Sequence, residues 1–113
     1  MPIIYKIVPA ALWRQAEARG VFAGAPVDFA DGYMHFSTAA QARETAAKHF
    51  AGQDELLLVA VEAAELGPAL RWEVSRGGAL FPHLYAALAL AHVTSVAPLP
   101  LGANGVHVFP DLA

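Results

Sequence analysis

The chain has no cysteine, which removes disulfides, thiolate metal sites and cysteine nucleophiles in one step. It is also poor in charge. Asp, Glu, Lys and Arg make up 15% of the residues, against about 25% in an average soluble domain. Seven basic and ten acidic residues give a formal net charge of −3. No basic cluster exists, so nucleic acid is not expected as a partner. No apolar run reaches the roughly 18 residues of a membrane helix. Lys6 is not followed by the long apolar stretch of a secretory signal. A membrane is therefore not expected as a partner, and the expected location is cytoplasmic.

What is present fits one domain spanning residues 1–113. At this length folding hides about two thirds of the surface of the unfolded chain. Charge is unevenly spread, and from Gly77 onward Asp111 is the only charged residue. A tail so poor in charge is expected to be largely buried, either in the core or in a homodimer.

The β-branched, apolar run Ile3 to Val8 predicts a strand, bounded by Pro9. Pro9 suits the first turn of a helix that places Leu12, Trp13 and Ala16 on one face and stops at Gly20. Phe22 to Ala30, with Gly24, Pro26 and Asp28, reads as a loop. Asp31-Gly32 then turns the chain into a strand over Tyr33 to Ser37. Thr38 to Gln41 fits a capping box, followed by a helix with Ala42, Ala46, His49 and Phe50 inward. Leu56 to Val61 is apolar throughout, the pattern of a strand covered on both faces. Leu70 to Val74 alternates as a strand, and Ser75 to Gly78 is a loop. Phe81 to Leu90 fits either a helical turn or the start of a strand. Val93 to Leu101 predicts another strand, and Gly102 to Gly105 turns the chain into Val106–Phe109. Together these elements predict an α+β domain with two main helices and a mixed or antiparallel sheet.

Two segments carry chemistry. The strand period of two puts Tyr33, His35 and Ser37 on one face and Met34 and Phe36 on the other, core-facing side. A phenol, an imidazole and a hydroxyl thus stand in a row before a helix N-terminus, where unpaired N–H groups attract anions. A solvated strand face with Ser37 as a cap gives the same pattern. The second segment runs from Arg71 to Tyr85. Arg71 and Glu73 share a face opposite Trp72, Arg76 lies beside two glycines that let a ligand approach the backbone, and His83 and Tyr85 follow. A salt-bridged turn over a core Phe-Pro is the alternative. His35, His49, His83, His92 and His107 lack metal-ligand spacing, so no metal is expected.

The blocks Ile4–Ile7, Asp31–Thr38, Thr45–Phe50 and Arg71–Tyr85 resemble the bacterial family named domain of unknown function 952, over nearly the whole chain. That family in turn resembles, more distantly, the ADP-ribosyltransferase superfamily, whose strands and helices wrap around NAD. The resemblance implies an ADP-ribosyltransferase-like fold with a nucleotide cleft. Lys6 stands at the position of the first-strand histidine, His35 at the second-strand aromatic, and His83 nearest the usual glutamate, which is absent. On this basis His35, Glu73 and His83 are the candidate catalytic residues. The candidate ligand contacts are Lys6 and Arg76 to phosphates, Tyr33 to a ring, Ser37 to a ribose hydroxyl, with Arg71 and Tyr85 nearby. No cofactor is required, and NAD enters as a substrate. A non-catalytic binding or dimeric accessory module is the alternative, and a hydrolase using Glu73 and His83 is a third reading. A single site requires His35 and Glu73 to face one cavity.

Overall fold

Alternation in Ile-Ile-Tyr-Lys-Ile-Val-Pro makes the first strand, β1 (Ile3–Pro9), which sends Ile4 and Val8 to one core and Tyr5 and Ile7 to another. The computed structural model describes residues 2–112, with Arg76 described by its backbone alone. After β1 come α1 (Ala10–Arg19), β2 (Val21–Phe22), α2 (Pro26–Asp31), β3 (Met34–His35), β4 (Ser37–Thr38) and α3 (Ala39–His49). The chain continues through β5 (Leu56–Glu62), β6 (Leu70–Val74), β7 (Leu80–Leu84), β8 (Leu88–Ala89) and β9 (Val93–Pro98). The architecture is α+β, and every strand pairing is antiparallel.

The central sheet has the order β4-β1-β5-β9, and two smaller sheets, β2-β8 and β3-β7-β6, stand beside it. Strand β5 is covered on both faces, as its continuous apolar run predicts. Val59 and Val61 join Trp13, Phe22, Met34, Phe36 and Leu84 in one cluster, while Leu56, Leu58 and Ala60 join Ala46 and Leu99 in the other. Helix α3 starts at the expected capping box. Thr38 Oγ1 accepts the Gln41 N–H at 3.2 Å, and Gln41 Oε1 accepts the Thr38 N–H at 3.1 Å. The Gln41 amide also donates to Leu80 O at 2.8 Å, which ties α3 to β7.

Several expectations are corrected. Phe22 to Ala30 is not one loop, because it takes in the end of β2 and most of α2, the latter with Pro26 in its first turn. Tyr33 to Ser37 is not one strand. Its first half pairs with β7 and its second half with β1, so the chain changes sheets at Phe36. Met34 and Phe36 are buried as expected, but Ser37 is buried too. On α3, Ala42 and Ala46 face inward, whereas His49 is exposed. The last predicted strand stops at Pro98, and Leu101 and His107 form only an isolated bridge. The charge-poor tail is buried in pieces, at Phe81–Leu84, Leu88 and Leu99, while Val96, Val106 and Val108 are exposed. Its low charge reflects small aliphatic surface residues as much as core.

Candidate functional site

The site is built around a carboxylate that sequence reasoning did not single out. Asp28 sits in the short helix α2 and is 4% exposed. Gly24, at φ +130°, lets the chain pass so close that a Cβ there would stand 3.1 Å from the Asp28 Cβ. Asp28 Oδ2 accepts the Ala25 N–H at 2.7 Å and lies 3.0 Å from Lys6 Nζ. Oδ1 accepts the His35 backbone N–H at 3.1 Å and meets His35 Nδ1 at 2.6 Å and Lys6 Nζ at 3.2 Å. Lys6 Nζ also donates to His35 O at 3.0 Å. Burial alone would raise the Asp28 carboxyl. The His35 hydrogen bond, the Lys6 charge and the Ala25 amide outweigh it and bring the pKa to about 2. Burial pushes the Lys6 ammonium below its usual value, against the opposing pull of Asp28. On the far side of the His35 ring, Nε2 lies 2.8 Å from Asp31 Oδ2. Both ring nitrogens of His35 are therefore engaged by carboxylates.

The second half of the site is set by strand register. His83 lies opposite His35 on β3 and opposite Arg71 on β6, which puts all three on one face of the sheet. His83 Nδ1 meets Glu73 Oε1 at 2.9 Å, and the same oxygen accepts the Tyr85 hydroxyl at 2.7 Å. These bonds, from Tyr85 and then His83, hold the Glu73 carboxyl below its usual range. The bond to Glu73 in turn raises the Tyr85 phenol. With Nδ1–H pointed at Glu73, the neutral His83 ring carries its lone pair on Nε2, which has no hydrogen-bond partner among the described residues. Tyr33 stacks on His83 with centroids 4.1 Å apart, and His35 approaches the same ring edge-on at 5.7 Å. Burial raises the Tyr33 phenol, and the charges of Asp31 and Glu73 add to it.

Beside them lies a cleft of about 430 Å³ whose walls include Lys6, Asp31, Tyr33, His35, Ser37 and His83. That volume lies in the range of small-molecule sites, about 300–1,000 Å³. Ser37 Oγ and Thr45 Oγ1 are 2.8 Å apart at its edge, and the Thr45 hydroxyl also donates to Gln41 O. A smaller pocket of about 210 Å³ lies beyond Tyr33, bordered by Asp28, Phe29 and Tyr85.

The predicted residues thus fall into groups. Tyr33, His35, Ser37 and His83 reach the cleft directly. Glu73 does not line it, but backs His83, which does. Lys6 lines it with its ammonium already paired to Asp28. Arg71 is exposed, with its guanidinium 5.0 Å from the Tyr85 ring centroid. The side chain of Arg76 lies outside the described residues. Among the described residues no group of three His, Asp or Glu side chains is arranged to hold a metal. Sequence reading missed Asp28 and Asp31. Pro26 at a helix start with an acidic residue two positions later is the one local signal for α2. The pairing of Asp28 with Lys6, 22 positions away, leaves no trace in spacing.

Comparison with solved structures finds relatives that share the overall fold. The crystal structure of protein CC0527 from Caulobacter crescentus is 55% identical, with a TM-score of 0.90 over 94% of this chain and 93% of that one. The solution NMR structure of the same protein is 56% identical, with a TM-score of 0.85 over 94% and 91%. No curated protein matches the chain. The expected ADP-ribosyltransferase-like fold finds no support in these comparisons. A family model described as protein of unknown function (DUF952) matches residues 7–96, and the chain belongs to that family.

Proposed function

We propose that the cleft binds a small molecule of the NAD or ADP-ribose type and that His83, oriented by Glu73, is its acid–base group. The observation that carries this reading is the Glu73–His83 pair, with Nδ1 fixed at 2.9 Å and Nε2 left without a partner among the described residues. A carboxylate behind an imidazole sets the tautomer and supports the cation formed when the ring takes a proton. His35 has no such freedom, because Asp28 and Asp31 hold both of its nitrogens. It serves to shape the wall. Tyr33 offers a flat face to a ring, and the Ser37 hydroxyl oxygen, its proton directed to Thr45, offers an acceptor to a ribose.

For ADP-ribosyl transfer the bond between nicotinamide and C1′ of the ribose breaks, and nicotinamide leaves with the electron pair. An acceptor hydroxyl oxygen bonds to C1′, and its proton passes to His83 Nε2. The developing positive charge needs an anion nearby. Asp31, whose carboxylate borders the cleft, is the group available for that role.

Thermal melting with NAD and with ADP-ribose tests the binding step. Ligand at a hundred times its Kd adds about 2.7 kcal/mol of stability. Release of nicotinamide from NAD tests the reaction, which His83→Gln should abolish while the melting shift stays. Shifts without release support a non-catalytic binding module. One observation favours that second reading: Asp28, Asp31 and Glu73 are each already committed to a histidine of the site. Absence of any shift with either nucleotide refutes the assignment of ligand.

A further inference from the structure

We propose that the pocket between Phe29, Tyr33 and Tyr85 is a separate binding site for a small organic cation bearing a methylated ammonium group. At about 210 Å³ it is smaller than a drug-sized site and suits a headgroup rather than a whole nucleotide. Three aromatic residues border it, and Phe29 is 65% exposed. Tyr33 and Tyr85 have their ring centroids 5.4 Å apart at an angle of 40°, which makes a corner rather than a flat stack. Aromatic faces that meet at a corner around a cavity are the arrangement that holds quaternary ammonium groups.

The charges favour a cation over a neutral guest of the same shape. Among the described residues Asp28 is the only formally charged one bordering the pocket, and Lys6, its ion-pair partner, borders the cleft instead. The Tyr85 hydroxyl donates to Glu73 at 2.7 Å, which draws electron density onto the ring. Burial and then the charges of Asp31 and Glu73 raise the Tyr33 phenol, and the hydrogen bond to Glu73 raises that of Tyr85. Tyr85 already attracts one cation, the Arg71 guanidinium at 5.0 Å, and Arg71 does not border the pocket. The site stands whether or not the cleft takes a nucleotide, since Phe29 and Tyr85 do not border the cleft.

The test is an NMR titration of the whole chain with choline and with 3,3-dimethylbutan-1-ol, its neutral isostere. Choline should perturb the resonances of Phe29, Gly32 and Tyr85, and bind about tenfold more tightly than the isostere. Phe29→Ala, at an exposed position, should weaken choline by a similar factor without lowering the melting temperature. Equal affinity for the two compounds, or no perturbation at tens of millimolar choline, overturns the proposal. A trimethyllysine peptide distinguishes the source of the cation. Binding tenfold tighter than choline identifies a modified protein tail, and equal binding identifies a free small molecule; both support the site.

Discussion

Replacing Asp28 by asparagine tests the centre of the molecule most directly. The substitution keeps the shape and an oxygen that can accept the Ala25 N–H, but removes the charge. Lys6 is 5% exposed, and its ammonium would be left with neutral acceptors alone, the asparagine oxygen and the His35 carbonyl. Breaking a buried ion pair from one side costs about 3–5 kcal/mol, a large share of the 5–15 kcal/mol typical of a domain. The pKa gives an independent magnitude. A fall of the Asp28 carboxyl from 3.8 to about 2 corresponds to about 2 kcal/mol of native-state preference for the ionised form. Because the folded value lies below the unfolded one, this contribution is complete above pH 3.8 and is lost as pH falls towards 2. Urea titrations of wild type and Asp28→Asn at neutral pH should differ by several kcal/mol, and the gap should narrow by about 2 kcal/mol on acidification to pH 2. If Asp28→Asn does not fold, Asp28→Asn combined with Lys6→Met should restore folding, since an apolar replacement of a buried pair is often tolerated. A loss below about 1 kcal/mol at neutral pH, the size of an ordinary neutral hydrogen bond, would refute the reasoning.

Phe36→Ala should cost about 3–5 kcal/mol in a denaturant titration, as a core truncation at the point where the chain changes sheets. Thr38→Ala removes the cap of α3 and should cost about 1 kcal/mol by the same assay. Glu73→Gln should bring the Tyr85 phenol down towards its ordinary value near 10, read by NMR titration of labelled tyrosine. Light scattering after size exclusion checks the homodimer, for which Trp72, Val74 and Leu80 offer an exposed apolar patch on one face of the β6–β7 hairpin.

The sequence made the long elements legible because their signals are local. The apolar run of β5, the capping box of α3 and the glycine stop of α1 each lie within one element. Alternation correctly buried Met34 and Phe36 and grouped Arg71 with Glu73. It failed where tertiary pairing decides. Ser37 was expected on an open face because one continuous strand was assumed; the change of sheet at Phe36 turns it inward instead. Helix α2 was hidden because Gly24 and Pro26, which initiate it, also read as loop residues. With α2 missed, Asp28 had no structural context, so its hold on Lys6 and His35 could not be foreseen. Glu73 and His83 were named as candidates, but their hydrogen bond depends on the register of β6 against β7.

The change of sheet at Phe36 divides labour within the molecule. His35 and His83 belong to the small sheet, while Lys6 and Ser37 belong to the large one that carries most of the core. The β6–β7 hairpin supplies Phe81 and His83 to one wall of the cleft and sends Leu84 into the core shared with β1 and β5. Lys6 is the non-covalent bolt between the two sheets, reaching from β1 to the carbonyl of His35. Loss of Lys6 would therefore loosen the small sheet from the large one at the floor of the cleft.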